Sequence, residues 1–142
     1  MGERDLVLRP IGFVENGIER RPPGGWAGVR SIIRILPEYH DALLRIEDQR
    51  YLQVIFWFHR REKESREVTR VHPMRRKDIP LHGVFATRSP TRPNPLGMTT
   101  VRLLEASRGT LYVRGLDALH GTPIVDIKSD ADGDGPRRNR AP

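Results

Sequence analysis

Arg88 and Arg92 stand four residues apart on a stretch, residues 88–95, that also carries Asn94 and three prolines. Each proline fixes one φ angle and removes a backbone donor, so this segment can continue neither a helix nor a central strand. A loop stiffened in this way loses little entropy when it binds something. Guanidinium groups on such a frame suit bidentate contacts to a carboxylate or phosphate, and the Asn94 amide can both donate and accept. A plain reading remains open, in which the loop is a rigid corner with solvated arginines. The full string from Arg88 to Gly97, RSPTRPNPLG, carries more than that corner needs.

His59 is a second candidate, the polar end of the apolar run YLQVIFWFH from Tyr51. A lone histidine there is most often a satisfied structural residue. The other histidines, His40, His72, His82 and His120, share no i, i+4 or other short metal-ligand spacing, and no cysteine accompanies them, so no metal site is expected. The run GGWAG at residues 24–28 is not a dinucleotide-binding turn, because an alternating strand follows it where that motif needs a helix. A lid over a ligand and an ordinary loop both stay open for it. The acidic run from Asp130 starts like a calcium loop, but its twelfth position is Ala141 and no helix flanks it.

These residues need strands to position them. Residues 6–14 read as a first strand with Leu6, Leu8, Ile11 and Val14 inward. Residues 29–36 alternate, with Val29, Ser31, Ile33 and Ile35 on one face. Pro37 opens a helix whose apolar face is Tyr39, Ala42, Leu43 and Ile46, ending near Glu47 and Asp48. Residues 51–59 are apolar enough to suggest a strand buried on both sides. Residues 62–67 form a charged turn, and strands are expected over 67–71, 83–87, 99–105, 110–117 and 123–128. The expected fold is mostly β, a single small barrel of about six to eight short strands with one short helix. It occupies residues 1–128, and the polar residues 129–142 form a disordered tail.

A chain of 142 residues fits one domain and no apolar run is long enough to cross a bilayer. The N-terminus has no apolar signal region, which points to a cytoplasmic protein. Without cysteine there is no disulfide, thiolate zinc site or cysteine nucleophile. A net charge of +7, from 25 basic against 18 acidic residues, predicts attraction to a polyanion such as nucleic acid. Arginine greatly outnumbers lysine, which favours planar contacts to phosphate or carboxylate.

The Arg88–Gly97 string, preceded by GVFAT from Gly83, resembles the signature of the TsaA/TrmO-like family of small β-barrel, S-adenosylmethionine-dependent tRNA methyltransferases. A second family element, Asp-Gly-Thr-Pro followed by Asp-Ile-Lys, stands here as His120-Gly121-Thr122-Pro123 and Asp126-Ile127-Lys128. The resemblance covers residues 8–128. It implies a cofactor pocket touched by Pro23, Gly24, His59, Arg60, Arg88, Met98, Gly115, Leu116 and Asp117. It also implies substrate contacts from Arg92, Asn94 and Lys128, and an enzyme that works as a homodimer. The chain departs from the family where His120 replaces the aspartate and where Ser129 and Asp130 replace a Pro-Tyr pair.

The implied reaction is methyl transfer to N6 of threonylcarbamoyladenosine beside a tRNA anticodon. A sulfonium methyl is already activated, so positioning can supply much of the acceleration. The urea-like N6 is a poor nucleophile and would benefit from a base, for which His59 and Asp117 are the candidates. Arginines in residues 70–77 would hold phosphate, and anticodon-loop bases are accessible to a shallow basic surface. Two other functions stay open on the sequence: a non-catalytic RNA-binding barrel, and a methyltransferase with a small-molecule acceptor.

Overall fold

The computed structural model describes residues 2–130. Its strands are β1 (Gly12–Glu15), β2 (Arg30–Ile35), β3 (Tyr51–Trp57), β4 (Arg70–Val71), β5 (His82–Gly83), β6 (Leu96–Ser107), β7 (Thr110–Arg114) and β8 (Pro123–Ser129). Six of them close into an antiparallel barrel in the order β1-β2-β7-β6-β3-β8, and β4 pairs with β5 in a separate ribbon. Closure leaves the barrel no exposed edge. It is achieved by β1, which pairs with β2 on one side and β8 on the other.

The period-2 pattern decides what lies inside. Ser31, Ile33 and Ile35 of β2 are buried, as are Leu52, Val54 and Phe56 of β3, Val101 and Leu103 of β6, and Leu111 and Val113 of β7. Val14, Leu116, Ala118 and Ile124 complete the core. A fully buried Phe56 makes this core expensive to cut, since a Phe→Ala change costs about 3–5 kcal/mol. Among the described residues no helix is long and apolar enough to cross a membrane.

The mostly β barrel matches the expectation, but several elements differ. The first strand is shorter than expected: Leu6 and Leu8 are 89% and 51% exposed, and only residues 12–15 pair. The stretch ahead of Gly12 includes Pro10, which has no donor for a ladder. The expected helix after Pro37 is two 3-10 turns, Pro37–Leu43 and Ile46–Asp48, broken at Arg45 with φ 67°. Tyr39, Leu43 and Ile46 still pack on the barrel core, whereas Ala42 is exposed.

β3 is not buried on both sides. Its outward residues Tyr51, Gln53, Ile55 and Trp57 are only partly buried, with Arg102 over the Tyr51 ring and Arg66 over Trp57. The charged turn contains one helical turn, α1 (Glu62–Ser65). The strand expected over 83–87 stops at Gly83, and Val84–Ala86 is a 3-10 turn. At the C-terminus Ser129 still pairs with Leu52, and Asp130 is buried, so the barrel runs past the expected boundary at 128. The rest of the expected tail, with most of the acidic run, lies outside the described residues.

Candidate functional site

The proline-braced loop is held by its own side chains. The Thr87 hydroxyl donates to the Val84 carbonyl at 2.8 Å and accepts from the Ser89 amide at 3.2 Å. The Ser89 hydroxyl accepts from the Thr91 amide at 3.1 Å. Arg92 Nη1 donates to the carbonyls of Thr87 and Ser89 at 3.1 and 3.0 Å. Arg66 supports the far side: its guanidinium lies 5.6 Å from the centroid of Trp57 and donates to Asn94 Oδ1 at 3.1 Å. Pro95 is fully buried, and its carbonyl accepts from the Phe58 amide at 2.7 Å.

A pocket of about 280 Å³ opens between this loop and the start of β6. Phe56, Phe58, Leu96 and Met98 supply apolar wall, Arg88 and Arg92 bring positive charge, and Thr99 and Asp117 face them as hydrogen-bonding groups. Phe56 and Phe58 meet edge to face with centroids 5.2 Å apart. Gly97 lets β6 cross them, since a Cβ there would sit 2.6 Å from Phe56 and 2.8 Å from Phe58. The Thr99 hydroxyl donates to the Asp117 carboxylate, which ties β6 to the segment after β7.

Of the residues singled out in the sequence, Arg88, Arg92, Met98 and Asp117 line this pocket together. Gly115 and Leu116 precede Asp117. Gly115 has φ 92°, a conformation that favours glycine, and its amide donates to the Val29 carbonyl at 2.9 Å. Leu116 is fully buried in the core.

His59 and Arg60 directly follow the pocket residue Phe58 but do not form its wall. Arg60 binds the Glu19 carboxylate and donates to the Glu19 carbonyl at 2.8 Å. That contact ties Glu19, at the start of the loop that carries Pro23 and Gly24, to Arg60. Burial, and then the neighbouring Arg60 charge, lower the His59 pKa below its ordinary value of 6.5.

Two expected substrate residues are engaged elsewhere. Asn94 is exposed and bonded to Arg66, and Lys128 lies on β8 beside Asp126 at 3.6 Å, away from the pocket. Sequence reasoning missed Phe56, Phe58 and Thr99 as pocket residues. Their apolar or β-branched types read as strand and core, and only the crossing at Gly97 turns them into a wall. Among the described residues no group of three or more His, Asp or Glu gathers as a metal site.

The departure at His120 has a structural role. Its Nδ1 accepts hydrogen bonds from the amides of Asn16 and Gly17, both at 3.1 Å. A carboxylate at this position could accept the same pair. The adjoining Asn16 side chain donates to Ser31 Oγ at 3.0 Å and to the Ala118 carbonyl at 2.9 Å, so the start of the residue 16–29 loop is fixed to the barrel.

Comparison with known proteins gives concordant results. An S-adenosyl-L-methionine-binding protein of Archaeoglobus fulgidus is 41% identical over 127 residues, covering 87% of this chain and 88% of that protein. The human tRNA (adenine(37)-N6)-methyltransferase is 34% identical over 133 residues, covering 87% of this chain but 30% of the human protein. The crystal structure of TrmO from Pseudomonas aeruginosa superposes with a TM-score of 0.67 at 28% identity, over 89% of this chain and 56% of that one. The chain thus spans only part of the human and Pseudomonas proteins, and most of the archaeal one. With its barrel, its proline-braced arginine loop and a match to the family over residues 15–131, the chain belongs to the tRNA-methyltransferase O N-terminal domain family.

Proposed function

We propose that this chain binds S-adenosylmethionine in the pocket beside the Arg88–Gly97 loop and transfers its methyl group to N6 of threonylcarbamoyladenosine, at tRNA position 37. The observation that carries this reading is the meeting of Arg88, Arg92, Met98 and Asp117 around one pocket in a chain of this family. The names of the archaeal and human relatives support the cofactor and the tRNA acceptor respectively.

The residues present suit the cofactor. Phe56, Phe58, Leu96 and Met98 offer apolar surface to an adenine ring and a thioether stem. Arg88 suits a carboxylate, and the Asp117–Thr99 pair suits ribose hydroxyls or an ammonium group. Pro23, Gly24, His59, Arg60 and the backbone of Gly115 and Leu116 would close over it. When bound, S-adenosylmethionine supplies a methyl already activated by the sulfonium charge. The acceptor N6 would take that methyl, leaving the thioether product, and the N6 proton would pass to a base. His59, whose pKa is lowered by burial and then by Arg60, and Asp117 are the candidates for that base. Arg92 spends Nη1 on two carbonyls of its own loop and keeps its other guanidinium donors, which would meet the acceptor's carboxylate.

In this reading two copies of the chain form a homodimer that completes each site. Light scattering checks the dimer. The function is tested by calorimetry with S-adenosylmethionine and by mass spectrometry of tRNA nucleosides after incubation with both substrates. Heat of binding and a methylated threonylcarbamoyladenosine are expected. Cofactor binding without that nucleoside would overturn the acceptor assignment, and no cofactor binding at all would leave only an RNA-binding barrel.

A further inference from the structure

Arg30 on β2 stands directly opposite Arg114 on β7, and Arg114 stands directly opposite Arg102 on β6. Cross-strand partners share one face of a sheet. Their neighbours Ser31, Val113, Val101 and Leu103 are buried, so the three guanidinium groups lie side by side on the outside of the barrel. Neighbouring strands are about 4.8 Å apart, which makes the row about 10 Å long.

Like charges directly opposite one another destabilise a sheet, and folds usually separate or neutralise them. Among the described residues none of the three has an acidic partner within 4.0 Å, while Arg34, Arg45, Arg60 and Arg76 each have one. Arg102 is steadied instead by the Tyr51 ring, 5.4 Å from its guanidinium carbon. That contact fixes its position and leaves its charge intact.

A hollow of about 420 Å³ adjoins the row. Arg30 forms part of its wall, with Ile32, Leu104 and the half-exposed Tyr112 as apolar surface and Glu105 as a hydrogen-bond acceptor. Glu15, also in the wall, is already paired with Arg34. The hollow sits where the β6–β7 register shifts between Leu103 and Glu105. The row is also close to the pocket: Arg102 is three residues along β6 from Thr99, and Arg114 is three residues before Asp117. Three strand residues span about 10 Å.

We propose that this row and hollow form a second RNA contact, which grips phosphates of the single strand flanking the acceptor nucleotide and takes one unpaired base against Tyr112. Arginines without an acidic partner, beside an exposed aromatic, are the combination that single-stranded RNA requires, charge for the backbone and a ring for a base. The proposal rests on the reading of the chain as a tRNA methyltransferase.

The test measures binding of a fluorescein-labelled RNA hairpin by anisotropy as a function of salt. The full chain is compared with R30Q/R102Q/R114Q and with R9Q/R45Q/R108Q, which removes the same charge elsewhere. The row variant is expected to bind about tenfold or more weaker near physiological salt, with the slope of log K against log salt reduced by about 2. The control variant should stay close to the parent, and Tyr112→Leu should weaken binding without changing the slope. Retained heat of S-adenosylmethionine binding in the row variant shows that it is folded. A row variant with the affinity and slope of the parent would overturn the proposal while leaving the methyltransferase reading intact, as would equal losses in the row and control variants. A parent that binds neither RNA nor S-adenosylmethionine would overturn both.

Discussion

Arg88 Nη2 donates to the carbonyl of Met98 at 2.6 Å, so the rigid loop and the first residues of β6 are joined across the mouth of the pocket. One guanidinium thereby does two things: it holds the mouth in shape, and it presents its remaining donors to whatever enters. Arg88 is exposed, and its loop is also braced by Thr87, Ser89 and Arg92. Arg88→Ala should therefore keep the fold and lose at least about tenfold in S-adenosylmethionine affinity, as expected for a charged hydrogen bond of about 1.5–3 kcal/mol. Calorimetry reads the affinity and circular dichroism the fold; unchanged affinity would remove Arg88 from the site.

Gly97→Ala tests the wall rather than the charge. The new methyl would meet the rings of Phe56 and Phe58 at 2.6 to 2.8 Å, and Phe56 is buried in the core. Overpacking of this kind costs about 1–3 kcal/mol. Urea unfolding should show that loss, accompanied by weaker cofactor binding because the same rings line the pocket.

His59 gives a pH dependence with a definite sign. Its pKa is lowered in the fold, first by burial and then by Arg60, so below the ordinary value of 6.5 the unfolded chain binds more protons than the folded one. Stability from this residue is complete above that value and is lost as pH falls through it toward the lowered folded pKa. Unfolding midpoints measured down through this window should fall more steeply in the parent than in His59→Gln. If His59 is also the base, methyl transfer in the variant should lose its acid limb.

His120 predicts a local effect. Removing the acceptor of the Asn16 and Gly17 amides, as in His120→Ala, should loosen the start of the loop that carries Pro23 and Gly24. Faster hydrogen exchange across residues 16–28, with barrel strands unchanged, is the expected readout. His120→Asp should restore protection, since a carboxylate can accept both bonds.

The barrel was largely legible because period-2 burial is written into β2, β6 and β7, and proline leaves the arginine loop few conformations. The run after Pro37 was read as one helix because Tyr39, Leu43 and Ile46 face one way in a 3-10 arrangement as well; the left-handed turn at Arg45 leaves no mark in that spacing. Leu6 and Leu8 look like strand residues locally but find no partner strand. Within the site, the string from Arg88 to Gly97 marked the place but not the direction of each side chain. Arg92 turns onto carbonyls of its own loop, a choice its residue type does not reveal, and Asn94 turns to Arg66 through a long-range contact that only the folded chain creates.

The central claim is that the sulfonium nucleoside lies between the arginine loop and Asp117. Diffraction from crystals grown with S-adenosylhomocysteine tests it most directly. Density for that ligand against Arg88, Met98 and Asp117 is the predicted result; ordered density confined to any other part of the barrel would contradict it.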